Sequence, residues 1–320
     1  IDLFNQAAEE FNARGLRVST PDTREELMRQ FRNTQSQENS DGKPEITVIN
    51  IQRFAEDTQK IDTPAYAANL QRIFIVDEAH RGYKPAGSFL GNLLNADKNA
   101  VKIALTGTPL LKEERESWKI FGNYYHTYYY DKSIEDGYTL KIIREDIEKG
   151  YKERLTQIMG ELDELVQKKQ IKKSDIFEHE KYVDEFIRYV IDDMSAFRIV
   201  HGDDTLGGMI VATSGPQARI IAERFQKIQE EKNAKVQYES DKTNFKIHLI
   251  LYDSADKATI RQQVADFKKR MTVDFLVVDK MLLTGFDAPR LKKLYLGKRL
   301  KDHTLLQALT RVNRPYKDMH

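Results

Sequence analysis

The sequence predicts an α/β protein with two parallel sheets and a helical segment between them. Three observations lead there. Short apolar runs with polar boundaries recur as a set of three and then a set of four. Helical patterns separate the runs, and a long charged stretch with two amphipathic faces divides the sets.

The opening IDLFNQAAEEFN has no basic region leading into an apolar core, so it is not a secretory signal. It reads as a helix already under way, and the chain is expected to start partway into a domain. ITVINI (46–51), RIFIVD (72–77) and VKIALTG (101–107) form the first strand set. GMIVATS (208–214), FKIHLILY (245–252), DFLVVD (274–279) and LKKLYLG (291–297) form the second. Runs of this length, rich in β-branched residues, are expected to be covered on both faces. QENSDGKPE (37–45) reads as a loop, and PQARIIAERFQKIQEEK (216–232) as a helix. In the charged stretch, Ile147, Tyr151, Leu155, Ile158, Leu162 and Leu165 share one helical face. Val183, Phe186, Ile187, Val190, Ile191 and Met194 share another. The expected division is 1–140, a helical connector over 141–200, and 201–320.

A chain of 320 residues suffices for two cores. Its 51 basic and 50 acidic residues sum to +1, which says nothing about a charged face. No cysteine is present, which removes disulfides and thiolate chemistry. The seven histidines show no paired metal spacing. No apolar run approaches the ~20 residues of a membrane span.

IFIVDEAH places Asp77 and Glu78 at the carboxyl end of a predicted strand, where parallel sheets bind ligands. Adjacent acids there suit magnesium–nucleotide chemistry: one carboxylate holds Mg²⁺, the other activates water, and His80 links onward. Solvated acids capping a helix are the ordinary alternative. The next strand ends in ALTGTPL, where Thr106, Gly107 and Thr108 form a hydroxyl-bearing turn beside those acids. LLTGFDAP carries Gly285 and Asp287 on a strand-to-loop turn. In LLQALTRVNRPY, Gln307, Arg311 and Arg314 stand four and three apart, one face of a helix. Two guanidinium groups there suit a nucleotide phosphate; a solvated face is the alternative. The ordered set favours the nucleotide reading.

The tyrosines of GNYYHTYYYDKSIEDGY (122–138) are expected to pack as ordinary sheet residues, although exposed aromatics can stack on bases. FKKR (267–270) and GKRLKDH (297–303) are basic and suit either phosphate contact or plain solvation.

VDEAHRGY, KIALTGTPL, MLLTGFDAP and DHTLLQALTRVNRPY resemble superfamily 2 nucleic-acid-dependent ATPases, and within them the restriction (R) subunits of type I restriction–modification enzymes. Asn313, between the last arginines where most of the superfamily has glycine, favours that subgroup. DLFNQAAEEF (2–11) and TVINIQRF (47–54) resemble the family's helix after motif Ia and its motif Ib. The resemblance implies two RecA-like domains, ATP and Mg²⁺ as cofactors, and double-stranded DNA as the track. It implies methyltransferase and specificity subunits as partners, no membrane, and a prokaryotic cytoplasm. Asp77 would bind Mg²⁺ through water and Glu78 would activate the attacking water, with His80 beside them. Thr106, Gly107 and Thr108 would couple; Gln52, Arg53, Thr213 and Ser214 would contact DNA. Gly285 and Asp287 would be motif V; Gln307, Arg311 and Arg314 would be motif VI, its arginines on the phosphates.

Two family parts are missing. No GxxxxGK[ST] phosphate loop occurs, and the family's order puts it upstream of residue 1. No nuclease site of PD…(D/E)xK form is found. The chain on its own is therefore expected not to hydrolyse ATP. Another superfamily 2 helicase, or a binding module with a dead nucleotide site, are the remaining readings.

Overall fold

The computed structural model describes residues 3–32, 45–51, 61, 71–77, 89–106, 121–143, 147–283, 286–297, 300, 305 and 308–317. The chain forms two compact units, residues 2–127 and 128–320.

The first unit contains α1 (Leu3–Ala13), β1 (Arg17–Ser19), α2 (Arg24–Arg32), β2 (Glu45–Thr47), β3 (Ile73–Val76), α3 (Phe89–Ala96) and β4 (Val101–Ala104). A capping box starts α2: Thr23 Oγ1 accepts from the Glu26 N–H at 3.2 Å, and Glu26 Oε2 accepts from the Thr23 N–H at 3.4 Å. β1 pairs in parallel with β2, and β3 with β4. β1 was not among the expected strands, since three residues are too short to show a period. Leu27, Met28 and Phe31 of α2 pack with Phe89 and Leu93 of α3 and with Phe74 of β3.

The other face of β3 and β4 departs from expectation. Ile73, Ile75, Val101 and Ile103 are exposed, Ile75 by 64%. Alternation sends these residues to the side away from α2 and α3.

The second unit contains α4 (Tyr130–Glu135), α5 (Lys149–Gln167), α6 (Glu180–His201), β5 (Gly207–Val211), α7 (Gly215–Asn233), β6 (Ile247–Ile250), α8 (Lys257–Ala265), β7 (Phe275–Val278) and β8 (Leu291–Leu296). Its strands form one parallel sheet in the order β6-β7-β5-β8. The helices of the expected connector thus fold with this unit.

All six residues of the second predicted face, Val183 to Met194, are buried against α7 and the sheet. The face belongs to α6, which ends at a left-handed Gly202 (φ 59°). α8 and the loop residues Leu282, Leu283 and Phe286 cover the opposite face of the sheet. Alternation along β5 splits the layers: Ile210 faces α6 and α7, while Met209 and Val211 face α8. Of the first predicted face, Tyr151 and Leu162 are buried in α5, and Leu155, Ile158 and Leu165 pack with Leu162, Ile176 and Tyr182.

The tyrosine-rich stretch is not a strand. Residues 122–129 are extended or turning without sheet partners, α4 begins at Tyr130, and Tyr124, Tyr125, Tyr128, Tyr129 and Tyr138 are exposed. Left-handed Gly122 and Gly137 turn the chain at both ends of the stretch. Among the described residues no helix is long and apolar enough to cross a membrane.

The core is tight around the start of β5. A Cβ on Gly208 would lie 2.7 Å from the Phe275 ring and 2.8 Å from Met194 Cε, both in the core. Gly208→Ala is expected to destabilise the unit by about 1–3 kcal/mol, measured by urea unfolding. Nearby, Asp203 accepts from Lys317 Nζ at 2.7 Å and from the Thr205 N–H at 2.9 Å. Burial alone would raise its carboxyl, but Lys317 and Thr205 outweigh it and hold the pKa at about 2. This carboxylate stabilises the fold above its unfolded value of about 3.9, and the contribution is lost as pH falls through about 2. Asp203→Asn should flatten that part of the acid limb in unfolding measurements between these pH values.

Candidate active site

In the first unit, Asp77 follows β3 directly and is exposed. The β3–β4 register pairs Val76 with Ala104, and the Leu105 N–H donates to the Val76 carbonyl at 2.9 Å. Asp77 and Thr106 therefore lie beyond the carboxyl ends of adjacent parallel strands, where expected. Glu78, His80, Gly107, Thr108, Gln52 and Arg53 lie outside the described residues, as do Gly285 and Gln307.

In the second unit, Arg311, Arg314 and Asp287 come together. Arg311 Nη1 donates to the Phe286 carbonyl at 2.7 Å. Arg314 Nη1 lies 2.5 Å from Asp287 Oδ1. That contact is a charge pair without aligned hydrogen-bond geometry, since buried Asp287 Oδ1 takes no hydrogen bond among the described residues. Both cations thus hold the loop between β7 and β8.

The geometry differs from the predicted helix face. The helix stops near Leu309, and residues 310–312 turn with i→i−3 bonds from Arg311 to Ala308 and from Val312 to Leu309. Pro315 keeps Arg314 itself out of helical conformation, because the residue before a proline is disfavoured there. A turn, rather than a shared face, brings the arginines onto one loop.

Two residues that sequence reasoning passed over hold this turn. Lys292 in β8 is half-buried and donates to the Arg314 carbonyl; burial pushes its ammonium down to about 8. The Leu140 N–H donates to the Asn313 carbonyl at 2.6 Å. A third, Arg290, is sealed in the core with 1% exposure. It donates from Nε to the Thr205 carbonyl at 2.5 Å, and from Nη1 to Phe267 and Val273 carbonyls at 2.9 and 2.8 Å. Its guanidinium lies over the Phe267 ring at 4.7 Å, and burial lowers its pKa. A sequence signal was available: Arg290 lies just before, and Lys292 beside Lys293 inside, a strand run whose remaining residues are apolar.

Thr213 and Ser214 sit where β5 passes into α7. The Thr213 N–H donates to Gln217 Oε1 at 2.7 Å. Ser214 caps α7 by accepting from the Gln217 N–H at 3.2 Å, and its hydroxyl donates to Glu178 Oε1 at 2.5 Å.

Residues 1–176, more than half of the chain, match the family described as SWI2/SNF2 ATPase. Residues 213–320 match type I restriction enzyme subunit R domain 3. A Methanocaldococcus jannaschii chain carrying the name of a type I restriction enzyme endonuclease subunit, MjaVIIIP, is 29% identical over 289 residues, covering 77% of this chain. The Haemophilus influenzae type I restriction enzyme HindI endonuclease subunit is 26% identical over 295 residues, covering 83%. The matches cover 27% of each of these relatives. The solved structure of the type ISP restriction–modification enzyme LlaBIII bound to DNA shares the fold. Its TM-score is 0.52 at 12% identity, over 92% of this chain and 20% of that one. The chain belongs to the SWI2/SNF2 ATPases, and its residues 213–320 form a domain of the type I restriction enzyme subunit R kind.

Proposed function

We propose that this segment is the ATP-driven motor of a longer restriction subunit, moving double-stranded DNA before cleavage alongside methyltransferase and specificity subunits in a prokaryotic cytoplasm. The observation that carries the reading is the convergence of Arg311 and Arg314 on Phe286 and Asp287. Two permanent cations stand on one turn, and a charge pair lacking aligned hydrogen bonds leaves the Arg314 fork able to take a phosphate.

The donor chemistry fits magnesium–ATP in part. Asp77 would hold Mg²⁺, with Glu78 on the attacking water and Thr106 beside them on the next strand. Arg311 and Arg314 would face the phosphates and stabilise developing charge. Bound MgATP supplies the phosphoryl group that passes to water. The lysine and backbone nest of a phosphate loop are not in this sequence. The matches span 27% of the length of these two relatives. Thr213 and Ser214, with Gln52 and Arg53, are assigned to the DNA backbone; a phosphate at Ser214 would take the place of the Glu178 carboxylate.

In the full-length subunit, Arg314→Ala is expected to lower DNA-stimulated ATP hydrolysis by about 10³-fold or more, the scale of an arginine finger. Hydrolysis at the wild-type rate would overturn the assignment. The 320-residue chain on its own should hydrolyse ATP only at background, and a robust DNA-stimulated rate from it would contradict the division of the site.

A further inference from the structure

The arginine turn is held from a direction that neither the motifs nor the comparisons mark. Residues 128–142 open the second unit as a loop tied to itself. The Ser133 carbonyl accepts from the N–H groups of Tyr138 and Thr139 at 3.0 and 3.2 Å, and the Ser133 and Thr139 hydroxyls meet at 2.5 Å. The Tyr128 hydroxyl donates to Asp136 Oδ2 at 2.7 Å. Left-handed Gly137 (φ 77°) lets the chain reverse.

Among the described residues, the return limb, residues 140–142, has no neighbouring strand on the side facing α4. The Tyr130 hydroxyl stands in for one. It donates to the Leu140 carbonyl at 2.8 Å and accepts from the Ile142 N–H at 2.9 Å. These are the two bonds that one residue of a parallel strand makes to the positions on either side of its partner. The limb so extended gives its Leu140 N–H to the Asn313 carbonyl, one residue before Arg314. The next carbonyl, that of Arg314, is taken by Lys292 from β8. Consecutive peptide groups of the turn are thus gripped by two different elements, while the Arg314 side chain reaches Asp287.

We infer that Tyr130 is a positioning residue for Arg314: through Leu140 and Asn313 its hydroxyl fixes the backbone from which the arginine reaches the phosphates. The catalytic part of this inference rests on the motor reading; the clasp itself rests on the hydrogen bonds alone. Tyr130 touches neither guanidinium, so its effect passes through main-chain placement. Tyr130→Phe keeps the ring and removes both bonds. Tyr128→Phe removes a hydroxyl from the same loop without touching residues 140–142 and serves as the control.

The experiment uses the full-length subunit with two readouts. By amide hydrogen exchange, Tyr130→Phe should speed the Leu140 amide by about tenfold, the equivalent of about 1.4 kcal/mol, with an unchanged melting temperature. Its acceptor, the Asn313 carbonyl, is untouched by the substitution. Tyr128→Phe should leave that amide as in wild type. In ATP hydrolysis, Tyr130→Phe should lower kcat by about tenfold or more, within the roughly 10²-fold that a 1 Å misplacement costs, and leave KM for ATP within about twofold. An unchanged Leu140 amide overturns the clasp. A faster Leu140 amide with unchanged kcat overturns the positioning role. A wild type with no DNA-stimulated hydrolysis overturns the motor reading and the catalytic consequence together, while Leu140 exchange still decides the clasp.

Discussion

A buried cation with no carboxylate hydrogen-bonded to it among the described residues sets the frame around the arginine turn. Arg290 is sealed from water, and leaving its donors unmet would cost on the order of several kcal/mol. Three carbonyls meet it, from Thr205 ahead of β5, Phe267 after α8 and Val273 ahead of β7. Three separate stretches must therefore converge on one side chain. Gly207 makes room, since a Cβ there would lie 2.6 Å from the Phe267 ring. From this anchor the chain runs back three residues to Asp287 and forward two to Lys292, which contact the side chain and the carbonyl of Arg314. The arginine turn is thus tied, three residues and two residues away, to a group fixed in the core.

The legible part of this molecule was its periodic part. Buried parallel strands are apolar throughout; the run of 208–214 overlaps β5 and that of 274–279 contains β7, and their side chains have no water-facing side. The face from Val183 to Met194 was equally plain, because six apolar residues at helical spacing have few other uses. Of the motif residues, Asp77 and Thr106 lie at adjacent strand ends as expected, while Arg311 and Arg314 lie on a turn. Arg311 and Arg314 fit a helix face on paper, yet the helix stops near Leu309 and the contact is made by a turn.

What sequence reading missed shares a physical character. Arg290 bonds backbone carbonyls, Leu140 offers a backbone N–H, and Lys292 meets a backbone oxygen. Carbonyls and amides occur at nearly every residue, so no residue type marks where one will be used. The tyrosines of 122–138 misled for a related reason. Their β propensity is real, but propensity in a strand reflects packing on neighbours, and these residues have no sheet to join.

The Tyr130 hydroxyl has a consequence for solubility. A bare extended limb at the surface offers a row of unpaired amides and carbonyls on which another chain can grow a strand. A real neighbouring strand would only pass that vacancy outward, since its own far side would then be open. A phenol has no far side. It takes the Leu140 carbonyl and the Ile142 amide and stops there, so the limb is held straight without becoming a template for self-association.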